Sequence, residues 1–128
     1  MGNYKLGEAE MKFAEIIWER EPLTSSELVK VCESKMNWKK STTYTVLKKM
    51  CEKGIFQNEN AVVSAKMSRE EFYGVQSRKY VEDVFSGSLP RFLTAFCNGR
   101  KLSAEEVGEM EKWIDEYRED YLEGGMKG

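Results

Sequence analysis

The spacing of apolar residues predicts several short helices in the first part of the chain. In GEAEMKFAEIIWER the apolar residues recur about every 3.6 positions, which predicts an amphipathic helix over residues 7 to 20. Thr24-Ser-Ser-Glu27 has the spacing of a capping box and opens a second helix that reaches about Ser34. A third helix is predicted over residues 40 to 53. Its end is placed there because Gly54 suits the left-handed conformation that often ends a helix.

The pattern changes to that of a hairpin after the third helix. Residues 55 to 60 and residues 61 to 67 alternate between apolar and polar side chains and predict two strands, joined by a polar turn around residues 58 to 60. The order of helix, short helix, connector, basic helix and hairpin is that of a winged helix-turn-helix, in which the third helix reads DNA and the hairpin is the wing.

The second half is predicted to be helical. Two more capping boxes, Ser68-Arg-Glu-Glu71 and Ser103-Ala-Glu-Glu106, open a long helix and a final helix that ends near Tyr121. Between them Gly87 ends the long helix, and Ser88 begins a short apolar one. The expected fold class is therefore mainly α with a small β-hairpin wing, an N-terminal winged helix-turn-helix followed by a C-terminal helical region.

Charge is distributed unevenly, although the net charge is only −2. Residues 35 to 53 hold six lysines against one acid, Glu52. Residues 105 to 123 reverse this balance, with nine acids against Lys112 and Arg118. The two segments are therefore expected to meet different partners.

The composition excludes several kinds of chemistry. There is no histidine, which excludes Ser-His-Asp and Cys-His catalytic sets, and the three cysteines lack any CxxC spacing. No apolar run approaches the roughly 18 residues of a membrane span, and the N-terminus lacks the apolar core of a signal peptide. We expect a cytoplasmic protein without membrane insertion, metal, cofactor or enzymatic activity.

The predicted third helix has two chemically different faces. On a helical wheel, Thr43, Tyr44, Met50 and Cys51 fall within about 60° of Leu47 and form the core face. The opposite face carries short hydroxyl side chains, which let a helix approach base edges, and lysines that reach phosphates. The predicted base-reading residues are Ser41, Thr42 and Thr45, the predicted phosphate ligands are Lys39, Lys40, Lys48 and Lys49, and the predicted wing contacts are Asn58 and Asn60. The alternative is that these lysines only keep the surface soluble.

Several short motifs together indicate a family. They are Leu6-Gly7-Glu8-Ala9-Glu10 leading to Ile17-Trp18, the run TTYTVLKKM from Thr42 to Met50, Lys53-Gly54, Phe85-Ser-Gly-Ser-Leu, and Leu102-Ser-Ala-Glu-Glu. With these motifs, residues 5 to 123 resemble the BlaI/MecI family of penicillinase and methicillin-resistance repressors, whose pattern at the third helix is roughly T-V-x-T-L-L-x-R-L. The resemblance implies a homodimeric repressor that binds inverted-repeat operators in double-stranded DNA.

In its resistance members, this family is released from DNA when a membrane-bound sensor protease cleaves the repressor between an Asn and a Phe. That bond aligns with Ala95-Phe96, where Phe96 matches and Ala95 replaces the family's Asn. The resemblance thus implies Ala95-Phe96 as the candidate cleavage site and a sensor protease as a candidate partner. The wing departs as well, because this hairpin lacks the Gly-Arg that family members often carry.

The second half carries more apolar surface than its few helices can enclose, and a symmetric partner would cover it. The alternative is an intramolecular bundle. The predicted dimerisation residues are Phe85, Leu89, Phe92, Leu93, Phe96, Val107, Met110, Trp113, Ile114 and Tyr117. The predicted domains are a DNA-binding domain over residues 1 to 70, a dimerisation domain over residues 71 to 123 and a disordered tail over residues 124 to 128.

The functional prediction is a repressor of β-lactam resistance genes. Two alternatives remain: a family repressor of a different set of genes, or a winged-helix protein-interaction module that does not bind DNA.

Overall fold

The computed structural model describes residues 5 to 125, and its side chains as far as residue 122. This part of the chain forms six helices and three short strands. In chain order they are α1 (Glu8–Arg20), β1 (Leu23–Thr24), α2 (Ser25–Met36), α3 (Lys40–Glu52), β2 (Phe56–Glu59), β3 (Val62–Ala65), α4 (Arg69–Phe85), α5 (Leu89–Phe96) and α6 (Ala104–Gly125). The predicted class, mainly α with a small hairpin wing, is confirmed.

Contacts divide the chain into two compact units between Gly87 and Ser88. The functional boundary predicted between residues 70 and 71 stays a prediction. The last helix extends to Gly125, past its predicted end near Tyr121, and residues 126 to 128 of the predicted tail lie outside the described residues. In the described part of the chain, no helix combines the length and apolar character needed to cross a membrane.

The sheet is antiparallel with the strand order β1-β3-β2. The hairpin of β2 and β3 closes with Asn60 and Ala61, whose φ angles of 53° and 63° are those of a two-residue turn matched to the twist of a hairpin. The two hairpin strands are confirmed, but the turn lies one position later than predicted, because Asn58 and Glu59 still pair with Val63 and Val62. The third strand, β1, was not predicted, because two residues are too few to show an alternating pattern.

All three predicted capping boxes form. In α2 the Thr24 hydroxyl accepts from the Glu27 N–H at 3.1 Å while the Glu27 carboxylate accepts from the Thr24 N–H at 3.0 Å. The same reciprocal bonds open α4 at Ser68 and α6 at Ser103. Gly54 follows α3 with a φ of 82°, in the left-handed conformation that its position predicted.

The buried core belongs to the first unit. It is formed by α1, α2, α3 and the sheet, together with Phe72 from the first turn of α4. Trp18 joins these parts, since its indole N–H donates to the Met67 carbonyl at 3.0 Å and its ring lies 5.5 Å from both Phe56 and Phe72. This core holds α3 on the domain and leaves the opposite face of that helix exposed.

The second unit is less enclosed. Of its residues whose side chains the structure describes, 88 to 122, none is buried. Along α6 the apolar side chains recur alternately three and four positions apart, which is the spacing of a coiled-coil seam. The seam consists of Val107, Met110, Ile114, Tyr117 and Tyr121, with Trp113 beside it.

Candidate DNA-binding surface

Helix α3 is anchored by the face that the helical wheel predicted. Thr43, Leu47 and Met50 are 1 %, 2 % and 0 % exposed, and Tyr44 and Cys51 are half-buried at the edges of this face. Apolar side chains one turn apart stack on the same side of a helix, so their burial fixes how α3 is rotated about its axis. That rotation turns the predicted base-reading residues toward solvent.

The three predicted base-reading residues form one exposed edge. Ser41, Thr42 and Thr45 all lie in the first two turns of α3 and are exposed. The Thr45 hydroxyl donates its proton to the Ser41 carbonyl at 2.9 Å. Thr45 therefore presents its methyl group and the lone pairs of its oxygen, which suit a thymine methyl or an amino group of adenine or cytosine.

The four predicted phosphate-binding lysines have different surroundings. Lys39 immediately precedes α3, Lys40 lies 6.0 Å from the centre of the Tyr44 ring, and Lys48 is exposed two turns further on. None of these three forms an ion pair with the described residues. Lys49 differs, because its ammonium lies 2.7 Å from the Glu10 carboxylate of α1.

The predicted wing residues lie at the tip of the hairpin. Asn58 and Asn60 are exposed, and Asn60 occupies the first turn position. Glu59 lies between them and is also exposed. The tip thus carries a negative charge and no cation, and Lys66, after the end of β3, is the nearest exposed lysine along the chain. Contacts of this tip with phosphate would be polar rather than cationic.

Ser25 connects α3 to the wing, a role that no sequence pattern predicted. Its hydroxyl accepts from the Tyr44 hydroxyl at 3.3 Å, and its N–H donates to the carbonyl of Ala61 in the hairpin turn at 2.9 Å. Ser25 is buried even though its side chain is polar. Ser25 is a middle residue of the capping box Thr24-Ser-Ser-Glu27, and this local motif gives no sign of a long-range partner for it.

One buried polar group on the anchored face is poorly satisfied. The Thr43 hydroxyl has no regular hydrogen-bond partner among the described residues, although it lies beside the Cys32 thiol. Burial raises the pKa of Cys32, and the nearby Thr43 hydroxyl offsets part of this rise. The thiol therefore stays protonated at neutral pH, and a weak contact with sulfur is what the Thr43 hydroxyl has.

The predicted dimerisation residues are only partly covered. Phe85, Phe92, Leu93 and Met110 are half-buried. The exposed ones are Leu89, Phe96, Val107, Trp113, Ile114 and Tyr117.

The candidate cleavage site, Ala95-Phe96, lies in the last turn of α5. Both residues are exposed, and the Arg100 guanidinium stacks on the Phe96 ring, 4.9 Å from its centre. The Ala95-Phe96 peptide bond is therefore exposed but lies within a helix.

Comparison with known proteins decides the family. The family model described as "Penicillinase repressor" matches residues 6 to 116, which extend from the segment before α1 into α6. The chain belongs to the penicillinase repressor family. The family resemblance inferred from the motifs is thereby confirmed.

Two curated relatives of this penicillinase-repressor family member align over most of their length. The penicillinase repressor of Bacillus licheniformis is 20 % identical over 118 residues, which cover 89 % of this chain and 92 % of that protein. The methicillin resistance regulatory protein MecI of Staphylococcus aureus is 19 % identical over 111 residues, covering 84 % of this chain and 90 % of that protein. At this identity about four of every five aligned residues differ between this chain and either relative.

Proposed function

We propose that this chain is a transcriptional repressor that binds inverted-repeat operators in double-stranded DNA as a homodimer. One observation carries the proposal. Burial of the Thr43, Leu47 and Met50 face leaves Ser41, Thr42 and Thr45 together on the exposed side of α3, next to lysines without acidic partners among the described residues. Short hydroxyls that read base edges, framed by cations that neutralise phosphate, are what a helix in the major groove requires.

The residues of this surface have separate roles in the proposal. Thr45 reads a base through its methyl group and its accepting oxygen, since its proton is held by the Ser41 carbonyl. Lys39 and Lys40 bind phosphates at the entrance of α3, and Lys48 binds one further along. Asn58 and Asn60 add polar contacts from the wing. Phosphate contacts supply affinity that depends on salt, whereas base contacts supply discrimination between sequences.

Dimerisation supplies the geometry of the proposed complex. The α6 seam, with its exposed Trp113, Ile114 and Tyr117, has the spacing with which helices pair, and an isologous dimer would cover it. Two copies of α3 would then enter half-sites separated by about 34–36 Å or a multiple of that distance. By analogy with its relatives, the regulated genes are those of β-lactam resistance.

Release by proteolysis is the final part of the proposal. A protease cleft binds its substrate in an extended conformation, so the turn of α5 that holds Ala95 and Phe96 must unwind first. Incubation with a sensor protease followed by mass analysis should give a fragment that ends at Ala95. Intact chain, or cleavage at a different bond, would remove this step without affecting DNA binding.

The DNA-binding part is tested by measuring affinity for a duplex from the chain's own promoter and for a scrambled duplex. Thr45→Ala should reduce the ratio of the two affinities by about 5–100-fold, the usual cost of one base contact. Lys48→Ala should weaken both duplexes equally and lower the salt slope by about 0.9 per protomer. Lys112→Ala, an equal loss of charge on α6, is the matched control and should change neither quantity. Failure of the unmodified protein to bind either duplex would favour the interaction-module alternative.

A further inference from the structure

Lys49 is held by a carboxylate of another helix. Its ammonium lies 2.7 Å from Oε2 of Glu10, which belongs to the first turn of α1. The Lys49 side chain is 55 % exposed, whereas that of Glu10 is 19 % exposed. The pair thus has one end in solvent and the other fixed against the domain, unlike Lys12–Glu8 and Lys79–Asp83 within single helices, whose side chains are more than half exposed at both ends.

Glu10 is itself fixed in place. Its other oxygen, Oε1, accepts from the Gly7 N–H at 3.0 Å, at the start of α1. The hydrogen bonds from Lys49 and Gly7 lower the pKa of Glu10, so its carboxylate, ionised at neutral pH, stays ionised into more acidic solution. If a DNA phosphate bound Lys49 instead, the Glu10 carboxylate would lose its ammonium partner beside the negatively charged DNA. The two negative charges would then repel each other.

A second lysine at the end of α3 also contacts the segment that begins α1. Lys53, at the C-terminal end of α3, donates to the carbonyl of Lys5 at 3.2 Å. Lys49 and Lys53 are four positions apart and so lie on one side of the helix. Both hold the last turn of α3 to the segment that begins α1, whereas Lys48 projects from a different side and has no such partner in the described part of the chain.

We infer that Lys49 is a positioning residue: it fixes the orientation of α3 through Glu10 and does not bind phosphate. The inference rests on the proposed function, and it removes Lys49 from the predicted set of phosphate ligands. Each protomer then neutralises phosphate with Lys39, Lys40 and Lys48. The orientation of α3 decides whether Thr45 and its neighbours meet base edges, so Lys49 contributes to discrimination and not to salt dependence.

The experiment compares two adjacent lysines. Lys48→Gln and Lys49→Gln remove the same charge from neighbouring positions, and affinity for operator and scrambled duplexes is measured over a range of salt concentrations. Lys48→Gln should lower the salt slope by about 0.9 per protomer and weaken both duplexes alike. Lys49→Gln should leave the slope unchanged and reduce the ratio of operator to scrambled affinity several-fold. Lys49→Arg keeps the ion pair and should retain the ratio of the unmodified protein.

The variant Glu10→Gln further distinguishes a positioning role of Lys49 from phosphate binding. The amide oxygen can still accept from Gly7, so the start of α1 is preserved while the partner of Lys49 loses its charge. If Lys49 positions α3, Glu10→Gln reduces discrimination as Lys49→Gln does, and the double variant is no worse than either single one. If Lys49 binds phosphate, Glu10→Gln frees it, so binding becomes tighter and the salt slope steeper. That result would overturn the inference.

The outcome also distinguishes this inference from the proposed function. If the unmodified protein binds no duplex in a salt-dependent way, the proposed function fails. If it binds, and Lys49→Gln lowers the slope as much as Lys48→Gln does, the inference alone fails. Thermal melting of each variant, monitored by circular dichroism, ensures that binding is compared on folded protein. A change in melting temperature alone would alter neither the ratio of operator to scrambled affinity nor the salt slope.

Discussion

The two compact units differ in how far they enclose their largest aromatic side chains. In the first unit Phe13, Phe56 and Phe72 are fully buried, whereas in the second unit Trp113 and Tyr117 are more than half exposed. Three helices and a sheet surround a core from all sides, but two helices leave one face of each without cover. The first unit therefore encloses a core of its own, whereas the second leaves apolar side chains exposed that a further surface would cover.

The largest expected effect removes a ring from the closed core. Phe56→Ala should lower the free energy of unfolding by about 3–5 kcal/mol, because the change loses buried apolar area and leaves a cavity. Denaturant unfolding measures the loss. The matched control is Phe96→Ala in the second unit, which removes a ring that is 49 % exposed and should cost much less at low protein concentration. Equal losses for the two variants would contradict the comparison.

The second prediction concerns the uncovered seam. Ile114→Asp places a charge in the middle of the α6 seam and should weaken self-association at least tenfold, since burial of an unpaired charge is unfavourable. Sedimentation over a range of concentrations measures the association. Unfolding of the first unit, monitored at a concentration where the variant is monomeric, should stay as in the unmodified monomer. Unchanged association would show that α6 is not the dimer surface.

A smaller and stabilising effect is expected inside the first core. Thr43→Val replaces the poorly satisfied buried hydroxyl with a methyl group of nearly the same size. Removing a buried polar group without a good partner should raise the free energy of unfolding by about 1 kcal/mol. Thr42→Val, an exposed neighbour on the same helix, is the control and should change stability little. A loss of stability in Thr43→Val would show that the contact with Cys32 is worth more than we infer.

The smallest predicted effect is that of acid on the capping boxes. Hydrogen bonds from Thr24 lower the pKa of Glu27 from its usual 4.5. A carboxyl with a lowered folded pKa stabilises the fold above its unfolded pKa, and this stabilisation disappears as the pH falls through the folded pKa. The melting temperature should therefore fall slightly below about pH 4.5. Glu27→Gln keeps the reciprocal cap without titrating, so it should flatten this part of the pH profile.

The elements with local signals were predictable. Capping boxes at Thr24, Ser68 and Ser103 depend on residues three positions apart, and all of them form as predicted. The division of α3 into a buried and an exposed face also follows from helical spacing alone, and the burial of Leu47 confirms it. The strand β1 was not predictable, since it is defined by its pairing with β3 and not by a pattern of its own.

The candidate site shows the same limit. The hydroxyl edge was predictable, because Ser41, Thr42 and Thr45 follow one another at helical spacing. The difference between Lys48 and Lys49 was not, because both are exposed lysines on a basic helix and nothing in their local sequence separates them. Only the position of Glu10 on α1 does so.

The sequence by itself thus determined the helices, their caps, the hairpin and the two faces of α3, because each depends on residues within one or two turns of one another. The tertiary structure decided which polar groups meet across the fold: Lys49 with Glu10, and Tyr44 with Ser25 and the hairpin turn. It also decided that Phe13, Phe56 and Phe72 of the first unit are buried, while Trp113 and Tyr117 of the second remain exposed. The physical reason is that burial and long-range pairing depend on how helices pack together, and hydrophobic periodicity records only that a face is apolar, not what covers it.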